Sequence, residues 1–335
     1  MTVRITLIGL GQIGASMGLA LAKHKDQVTT LGHDKSPETA RKAQKQGAVA
    51  SISYNLPASI KAADVVVLAI PLDQIYETLK IIALDIRMDA VVMDTAPVKS
   101  VVAEWAQELL PPKCHYLGLT PALNPDCLEA APRGLSAARA DLFQNGVIAV
   151  TAPQGTAEQA LKLAADFVTL LGAQPFFADL AEMDGVMASA HLLPGLSAAA
   201  LAETVTGQQG WSDIRKMAGK SYSAATQPLD GEESAALAEA ILQNRTNTIR
   251  VLDEYIATLT SLRMNIAEEK RKELHTRLER ARRGRAQWQL ERAKGDWLSV
   301  EIGRQEMPKI GDIMKQQIGG LDKIFRRRDK KPDAD

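Results

Sequence analysis

Apolar runs and helix-like segments alternate through the first half of the chain. Strands are predicted at residues 5–8, 64–71 and 90–94, each built around an apolar run, which is typical of strands covered by helices on both faces. Segments of helical periodicity separate these runs, over residues 15–22, 37–47, 72–84 and 100–110. Further strands are predicted at 115–119, 147–151 and 174–177, with a helix at 156–171. The pattern predicts an α/β fold with a doubly wound, mostly parallel sheet over residues 1–179.

The pattern changes after about residue 179. Every periodic segment of residues 180–267 is predicted to be helical, and several are apolar nearly all round, which is typical of buried or paired helices. We therefore expect an all-helical domain that forms a homodimer. Residues 268–296 carry ten Lys or Arg against six Asp or Glu. We interpret residues 268–335 as a charged extension, with a solvated helix and a frayed tail.

A glycine-rich turn follows the first predicted strand. Glycines at the first, third and sixth positions permit a tight turn, close approach of a pyrophosphate to backbone N–H groups, and close packing of helix on strand. The anion then lies at a helix N-terminus, where unpaired N–H groups and the helix dipole favour negative charge. This turn predicts a Rossmann-type dinucleotide-binding domain, with contacts from Gly9, Gly11, Gln12, Ile13 and Gly14.

An acidic residue stands about 20 residues after the last glycine of this turn. Asp34 follows the second predicted strand, where an acid accepts hydrogen bonds from both adenosine ribose hydroxyls and repels a 2′-phosphate. This favours NAD as the cofactor. Lys35 and Ser36 are able to meet a 2′-phosphate, so NADP stays open as the alternative.

Two later strands end at the same predicted edge of the sheet. Ligands of open parallel sheets bind at the carboxyl ends of the strands. We therefore expect Ala69, Ile70 and Pro71 to approach the cofactor through backbone and apolar contacts. The next strand brings residues 94–99 to this edge, and Thr95 in that segment is a candidate cofactor contact.

Composition narrows the class of protein. The chain has 335 residues, of which 46% are hydrophobic, with 40 basic against 40 acidic residues. This balance does not favour general binding to nucleic acid or membrane surfaces. Cys114 and Cys127 show neither metal spacing nor a disulfide framework, and no apolar run reaches the roughly 18–20 residues of a membrane span. We expect a cytoplasmic protein without a metal site.

The order of these motifs resembles that of the prephenate and arogenate dehydrogenase family. The resemblance is carried by the glycine turn, by residues 69–71, 94–99, 118–122 and 141–153, and by Met183-Asp184 through His191-Leu192-Leu193-Pro194, over roughly residues 1–260. It implies an NAD(P) domain followed by an all-helical dimerisation domain. It also implies an oxidative decarboxylation in tyrosine biosynthesis: hydride leaves C4 of a cyclohexadienol as its hydroxyl is deprotonated, and loss of CO₂ aromatises the ring.

Three positions depart from the catalytic pattern of that family. Pro97 stands where the family carries a serine, and Thr120 stands where it carries the catalytic histidine of a Gly-Gly-His-Pro-type turn. Residues 190–195 keep one imidazole, His191, of a Ser-His-Leu-Pro-His-type helix start. A threonine hydroxyl does not titrate near neutral pH, whereas an imidazole does. Either another group takes the proton, or the substrate differs, or the protein does not catalyse this reaction.

The remaining candidates follow from residue type and register. His191, predicted to open a helix, is the best remaining base, with an inert buried histidine as the alternative. Thr120 is a candidate hydrogen-bonding group for substrate, and Lys99 a catalytic or structural partner of Asp94. Arg215 and Lys216 lie where the resemblance places a carboxylate-binding arginine, which suits a carboxylate substrate; an exposed basic pair on a loop is the alternative.

Three functions fit these observations. The first is a prephenate dehydrogenase-like NAD(P) oxidoreductase. The second is a nucleotide-binding protein of the same fold without turnover, such as a sensor. The third is a β-hydroxyacid or imine dehydrogenase, which needs a lysine of the second domain, such as Lys216, near the nicotinamide.

Overall fold

The computed structural model describes residues 2–127, 134–230 and 234–295. Residues 1–286 form one compact unit, and a second unit begins at Gln287. The predicted boundary between residues 179 and 180 falls inside the first unit and stays a prediction. The basic stretch that ends the chain, Arg326-Arg327-Arg328 with Lys330-Lys331, lies outside the described residues.

One sheet organises the described part of the first 178 residues. Its strands are β1 (Val3–Ile8), β2 (Val28–His33), β3 (Ser51–Ile52), β4 (Val65–Leu68), β5 (Val91–Asp94), β6 (His115–Pro121), β7 (Val147–Thr151) and β8 (Gln174–Ala178). They lie in the order β3-β2-β1-β4-β5-β6-β7-β8. Neighbouring strands pair in parallel except β6 and β7, so β7 and β8 run opposite to the other six strands. The predicted doubly wound, mostly parallel sheet is confirmed.

Six α-helices cover this sheet in the described residues. They are α1 (Gln12–Leu21), α2 (Pro37–Lys45), α3 (Leu56–Ile60), α4 (Ile75–Ile82), α5 (Ser100–Leu109) and α6 (Glu158–Leu170). Ser36 caps α2, as its sequence predicts, because the Thr39 N–H donates to the Ser36 hydroxyl at 3.2 Å.

The two faces of the sheet carry separate hydrophobic clusters. Leu117 and Leu119 of β6 belong to the cluster that contains α1 and α6 residues. Tyr116, which points to the opposite face, belongs to the other cluster, together with Leu192 and Ala240 from the C-terminal helices. The C-terminal helices therefore pack on the Tyr116 face of the sheet.

The C-terminal half is helical throughout its described residues. Its helices are α7 (Leu180–Met187), α8 (Leu193–Thr206), α9 (Trp211–Met217), α10 (Lys220–Thr226), α11 (Ser234–Gln243), α12 (Arg245–Ala267) and α13 (Arg271–Lys294). The buried residue Asn244 lies between α11 and α12 and separates the two helices. The described part of α13 contains no buried residue, in agreement with a solvated helix.

The prediction that His191 opens a helix is wrong. A π-helical turn over Ala188–Leu192 joins α7 to α8, so that His191 lies inside a continuous helix from Leu180 to Thr206. Pro194 explains the turn: a proline has no N–H for the preceding turn and its ring collides with the carbonyl four residues earlier, and the wider π geometry relieves both.

This continuous helix also corrects the expectation about apolar runs. Its 27 residues are long and apolar enough to cross a membrane by length and composition, with a mean hydropathy of 1.4 in its best window. A count of uninterrupted apolar residues missed it because Ser189, His191 and Ser197 interrupt the run. Asp184 is buried and binds the N-terminus of α5. That contact is typical of a helix packed within a protein.

Candidate active site

The glycine turn between β1 and α1 has the geometry that its residue types predict. Gly9 has φ +89°, a conformation that favours glycine, and a Cβ there would lie 2.3 Å from the Ala69 carbonyl oxygen. A Cβ at Gly14 would lie 1.9 Å from the Gly9 carbonyl oxygen. A Cβ at Gly11, in contrast, would meet no described atom within 4 Å. Gly9 and Gly14 are therefore required by the fold, whereas Gly11 keeps a space open.

The space beside Gly11 fits a dinucleotide phosphate. Gly11 is the N-cap of α1, and no side chain of the described chain caps this helix. The first turn of a helix presents N–H groups without intrahelical partners, and its dipole favours an anion. Gln12 and Ile13 belong to this first turn and are half-buried. The residues present therefore fit the pyrophosphate of NAD.

Asp34 lies beside the turn and holds it. One carboxylate oxygen accepts the Leu10 N–H at 2.8 Å, and the other accepts the Ser36 N–H at 2.8 Å. Each carboxylate oxygen has a second acceptor site, so both remain able to bind ribose hydroxyls. The neighbouring Lys35 is exposed. Asp34 thus has a second task that its sequence position did not reveal, the fixing of the glycine turn.

The ends of β4 and β5 meet the turn at the same edge of the sheet. Ala69, Ile70 and Pro71 are half-buried, and the Ala69 N–H donates to the Ile8 carbonyl at 2.8 Å. The Thr95 N–H donates to the Leu68 carbonyl at 3.1 Å. The structure thus confirms that these segments converge at one edge of the sheet. Their contacts to a cofactor stay predictions.

A buried ion pair supports the segment that follows β5. Lys99 and Asp94 both have 0% exposed side chains, and the Lys99 ammonium lies 2.9 Å from the Asp94 carboxylate. The Tyr116 hydroxyl donates to the other Asp94 oxygen at 2.6 Å, and the Ala96 N–H donates to the first at 2.7 Å. The carboxylate is therefore bound on both oxygens.

Gly118 makes room for the Lys99 side chain. A Cβ at this glycine of β6 would lie 2.6 Å from Lys99 Cδ. Burial lowers the pKa of Lys99, and the carboxylates of Asp94 and Asp184 oppose that shift. Burial also raises the pKa of Tyr116 well above its usual value, so that the phenol stays protonated and remains a donor. Lys99 is thus enclosed, and its immediate partner is Asp94 as predicted.

Asp184 links the C-terminal helices to this ion pair. Its carboxylate accepts the Lys99 N–H at 2.6 Å and the Ser100 N–H at 3.1 Å, which caps α5 from a position 84 residues later in the chain. The Asn244 side-chain amide donates to the Asp184 carbonyl at 2.7 Å. Sequence reasoning assigned no role to Tyr116, Asp184 or Asn244. Of these three residues, Asp184 belongs to the Met183-Asp184 motif that carries part of the family resemblance.

Thr120 has a buried hydroxyl without a hydrogen-bond partner among the described residues. Thr120 lies near the carboxyl end of β6, and strand alternation puts it on the same face as Tyr116 and Gly118. That face is the one on which the C-terminal helices pack. A buried hydroxyl left unpaired costs about 1–3 kcal/mol. A ligand atom at this position would remove that cost.

The other candidate side chains lie on the C-terminal helices. His191 is exposed and belongs to the π-helical turn, directly before the buried Leu192. Arg215 and Lys216 are exposed on α9, so the alternative that placed them on a loop is wrong. The Lys216 ammonium lies 2.7 Å from the Asp213 carboxylate. Both members of this basic pair on α9 are therefore exposed to solvent.

Two family models match most of the chain. Residues 17–176 match the nucleotide-binding domain of prephenate dehydrogenase, and residues 179–280 match its dimerization domain. Prephenate dehydrogenase of Bacillus subtilis is 26% identical over 269 residues, which cover 79% of this chain and 70% of that protein. Cyclohexadienyl dehydrogenase of Zymomonas mobilis is 27% identical over 271 residues, or 79% of this chain and 89% of that protein. These names do not favour a nucleotide-binding protein without turnover.

Solved structures share the fold. Prephenate dehydrogenase from A. aeolicus, in complex with hydroxyphenyl propionate and NAD+, superposes with a TM-score of 0.75 at 20% identity, over 86% of this chain and 98% of that one. Synechocystis arogenate dehydrogenase superposes with a TM-score of 0.66 at 23% identity, over 85% of this chain and all of that one.

Proposed function

The chain belongs to the prephenate dehydrogenase family and is an NAD-dependent dehydrogenase, and from this premise we propose that it oxidises a cyclohexadienol carboxylate of the prephenate or arogenate type. One observation carries the proposal: the unpartnered Thr120 hydroxyl is buried at the carboxyl edge of the sheet, on the face that the C-terminal helices cover. This edge also carries the glycine turn and the segment after β5.

In this proposal the N-terminal domain binds and orients the cofactor. The first turn of α1 receives the pyrophosphate, and Asp34 receives the adenosine ribose. The segments 69–71 and 95–97 flank the nicotinamide. Bound NAD+ supplies the hydride acceptor for C4 of the substrate ring. The carboxylate of Asp34 disfavours a 2′-phosphate, which makes NAD the cofactor rather than NADP.

In this proposal two side chains act on the ring hydroxyl: one forms a hydrogen bond with it, and the other accepts its proton. The Thr120 hydroxyl hydrogen-bonds the ring hydroxyl and so removes its own unpaired state. Because a threonine does not titrate near neutral pH, His191 takes the proton as general base. The bond between the ring carbon and its carboxylate then breaks, and CO₂ leaves. The electron pair of that bond completes the aromatic ring as hydride leaves C4.

A guanidinium is the preferred partner of the substrate carboxylate that is retained. Arg215 is exposed on α9 and forms bidentate charge-assisted bonds more readily than a lysine. The neighbouring Lys216 is paired with Asp213, so we assign the substrate contact to Arg215 first and to Lys216 second.

The matched dimerization domain supports a homodimer, and we propose that α12 contributes to its interface. This helix carries an apolar stripe with alternating spacings of three and four residues, in which Ile249, Ile256 and Leu259 are exposed and Leu252 is half-buried. Such spacing is typical of helices that pair along their length. Burial of this stripe in a dimer fits a soluble, cytoplasmic enzyme.

The direct test is NADH formation at 340 nm with prephenate and with arogenate, each with NAD+ and NADP+. We expect turnover with NAD+ for at least one of the two substrates. His191→Asn should lower kcat about 10²-fold or more, because a general base typically contributes 10²–10⁴. His275→Asn, which changes an exposed histidine of α13, is the matched control and should keep the wild-type rate.

Absence of NADH with both substrates would contradict the proposed function. A His191→Asn enzyme with full rate across the pH range would contradict only the assignment of the base.

A further inference from the structure

Four buried side chains fasten the segment that connects β5 to α5. We name Asp94, Lys99, Tyr116 and Asp184 the loop clamp. All four are buried, with Asp94 and Lys99 at 0% and Asp184 at 5% exposure. Asp94, at the start of the segment, accepts hydrogen bonds from Lys99 and Tyr116. Asp184, on the C-terminal helices, accepts the N–H of Lys99 at the end of the segment.

The clamp and the neighbouring strand account for most of the backbone donors of this segment. The N–H groups of Thr95 and Ala96 are bound by the Leu68 carbonyl and the Asp94 carboxylate. Those of Lys99 and Ser100 are bound by the Asp184 carboxylate, and Pro97 has no N–H. The remaining residue with an N–H in this segment is Val98, whose side chain is buried with that of Ala96 in the apolar cluster on the Tyr116 face.

We propose that the loop clamp is a positioning device, which holds residues 95–98 in place at the cofactor edge and ties their position to the C-terminal helices. The inference rests on the proposed function, because the segment it positions flanks the nicotinamide there. Asp184 is the one member of the clamp that comes from the dimerization domain. Through Asp184, the position of the segment therefore depends on the position of that domain.

The choice of charged groups argues against a role in stability alone. A buried ion pair loses much of its Coulomb energy to desolvation, and apolar residues of similar volume often stabilise a protein as well or better. Charged groups form strong, directional hydrogen bonds, however. Here the carboxylates of Asp94 and Asp184 accept hydrogen bonds from backbone N–H groups of the segment. The clamp therefore determines where the segment lies.

The first test is amide-resolved hydrogen exchange of Asp184→Leu in the full-length protein. Loss of a cap alone would speed exchange at Lys99 and Ser100 only. A positioning clamp predicts faster exchange, by about tenfold, also at Thr95 and Ala96, whose N–H groups are bound by acceptors other than Asp184, while β2 amides keep their wild-type rates. Unchanged protection at Thr95 and Ala96 would overturn the proposal.

Asp179→Leu is the matched control. Asp179 caps α7 as Asp184 caps α5, since one of its oxygens accepts the Ala181 N–H at 2.8 Å and the Glu182 N–H at 3.2 Å. The same substitution there should leave exchange at Thr95 and Ala96 unchanged. If Asp184→Leu does not fold, Asp184→Asn, which keeps one acceptor oxygen, should give the same pattern at smaller amplitude. A wild-type pattern in the folded Asn variant would overturn the proposal.

The second test separates positioning from binding. Asp184→Leu, or Asp184→Asn in its place, should lower kcat with NAD+ and prephenate or arogenate, by up to about 10²-fold for the Leu variant, because misplacement of about 1 Å has such an effect. The Kd for NADH should stay within about threefold. Equal kcat in variant and wild type would overturn the proposal. If the wild type itself shows no turnover, the proposed function fails, and the exchange experiment still decides the clamp.

Discussion

At the scale of single residues, two glycines of one turn have different tasks. Gly14 is required by packing, because a Cβ there would lie 1.9 Å from the Gly9 carbonyl oxygen. Gly11 faces open space in the described structure, so packing does not explain its lack of a side chain, and we expect a ligand in that space. The motif predicts close approach of a pyrophosphate at the third position and close packing of helix on strand at the sixth, and the space around each glycine agrees with that division.

This difference predicts opposite results for two alanine variants. Gly14→Ala should destabilise the protein by about 1–3 kcal/mol, the usual cost of overpacking, and weaken NADH binding as a consequence. Gly11→Ala should keep the wild-type Tm and yet raise the Kd for NADH at least tenfold, since its Cβ enters the pyrophosphate space. Thermal unfolding and energy transfer from tryptophan to NADH measure the two effects.

The control for these variants is Gly284→Ala. A Cβ at Gly284 would also meet no described atom within 4 Å. This glycine lies on the solvated helix α13, far from the glycine turn in the sequence. The variant should bind NADH as the wild type does. Wild-type NADH affinity of Gly11→Ala would mean that the pyrophosphate lies elsewhere.

At the scale of elements, local pattern predicted most of the sheet and its helices. Continuous apolar runs marked β1, β4 and β5, and a serine followed by a proline marked the start of α2. These signals lie within a few residues of the element they define. The sequence was therefore sufficient for the fold class, for the glycine turn and for the meeting of the strand ends at one edge.

Contacts between distant residues were not readable from the sequence. The π-helical turn at Ala188–Leu192 depends on how a helix accommodates Pro194, where a local rule predicts a helix start. Asp184 caps a helix 84 residues earlier in the chain, so no local capping pattern reveals it. The orphan hydroxyl of Thr120 is likewise a property of its packed environment.

The exposed stripe of α12 gives a prediction at this scale. Ile256 is 51% exposed, and Ile249 and Leu259 extend the stripe on either side. Ile256→Asp should shift the protein from dimer to monomer in light scattering coupled to gel filtration, because a buried unpaired charge opposes association. Ala257→Asp, which places the same charge about 100° around the helix, should leave the dimer intact. A dimeric Ile256→Asp variant would exclude this stripe from the interface.

At the scale of the whole molecule, the C-terminal helices pack on one face of the sheet and contact the segment that follows β5 at the carboxyl edge. Tyr116, Leu192 and Ala240 pack in one cluster, and Asp184 reaches from α7 to the start of α5. In the proposed mechanism, the substrate lies between the nicotinamide and these helices, with Thr120 in the position where the family pattern has an imidazole.

The measurement that tests this mechanism most directly is a crystal structure of the protein with NAD+ and hydroxyphenyl propionate, the pair named for the A. aeolicus relative. The mechanism predicts the pyrophosphate at the first turn of α1 and the phenol oxygen within about 3 Å of the Thr120 hydroxyl. A phenol bound away from Thr120, or a pyrophosphate away from Gly11, would contradict it.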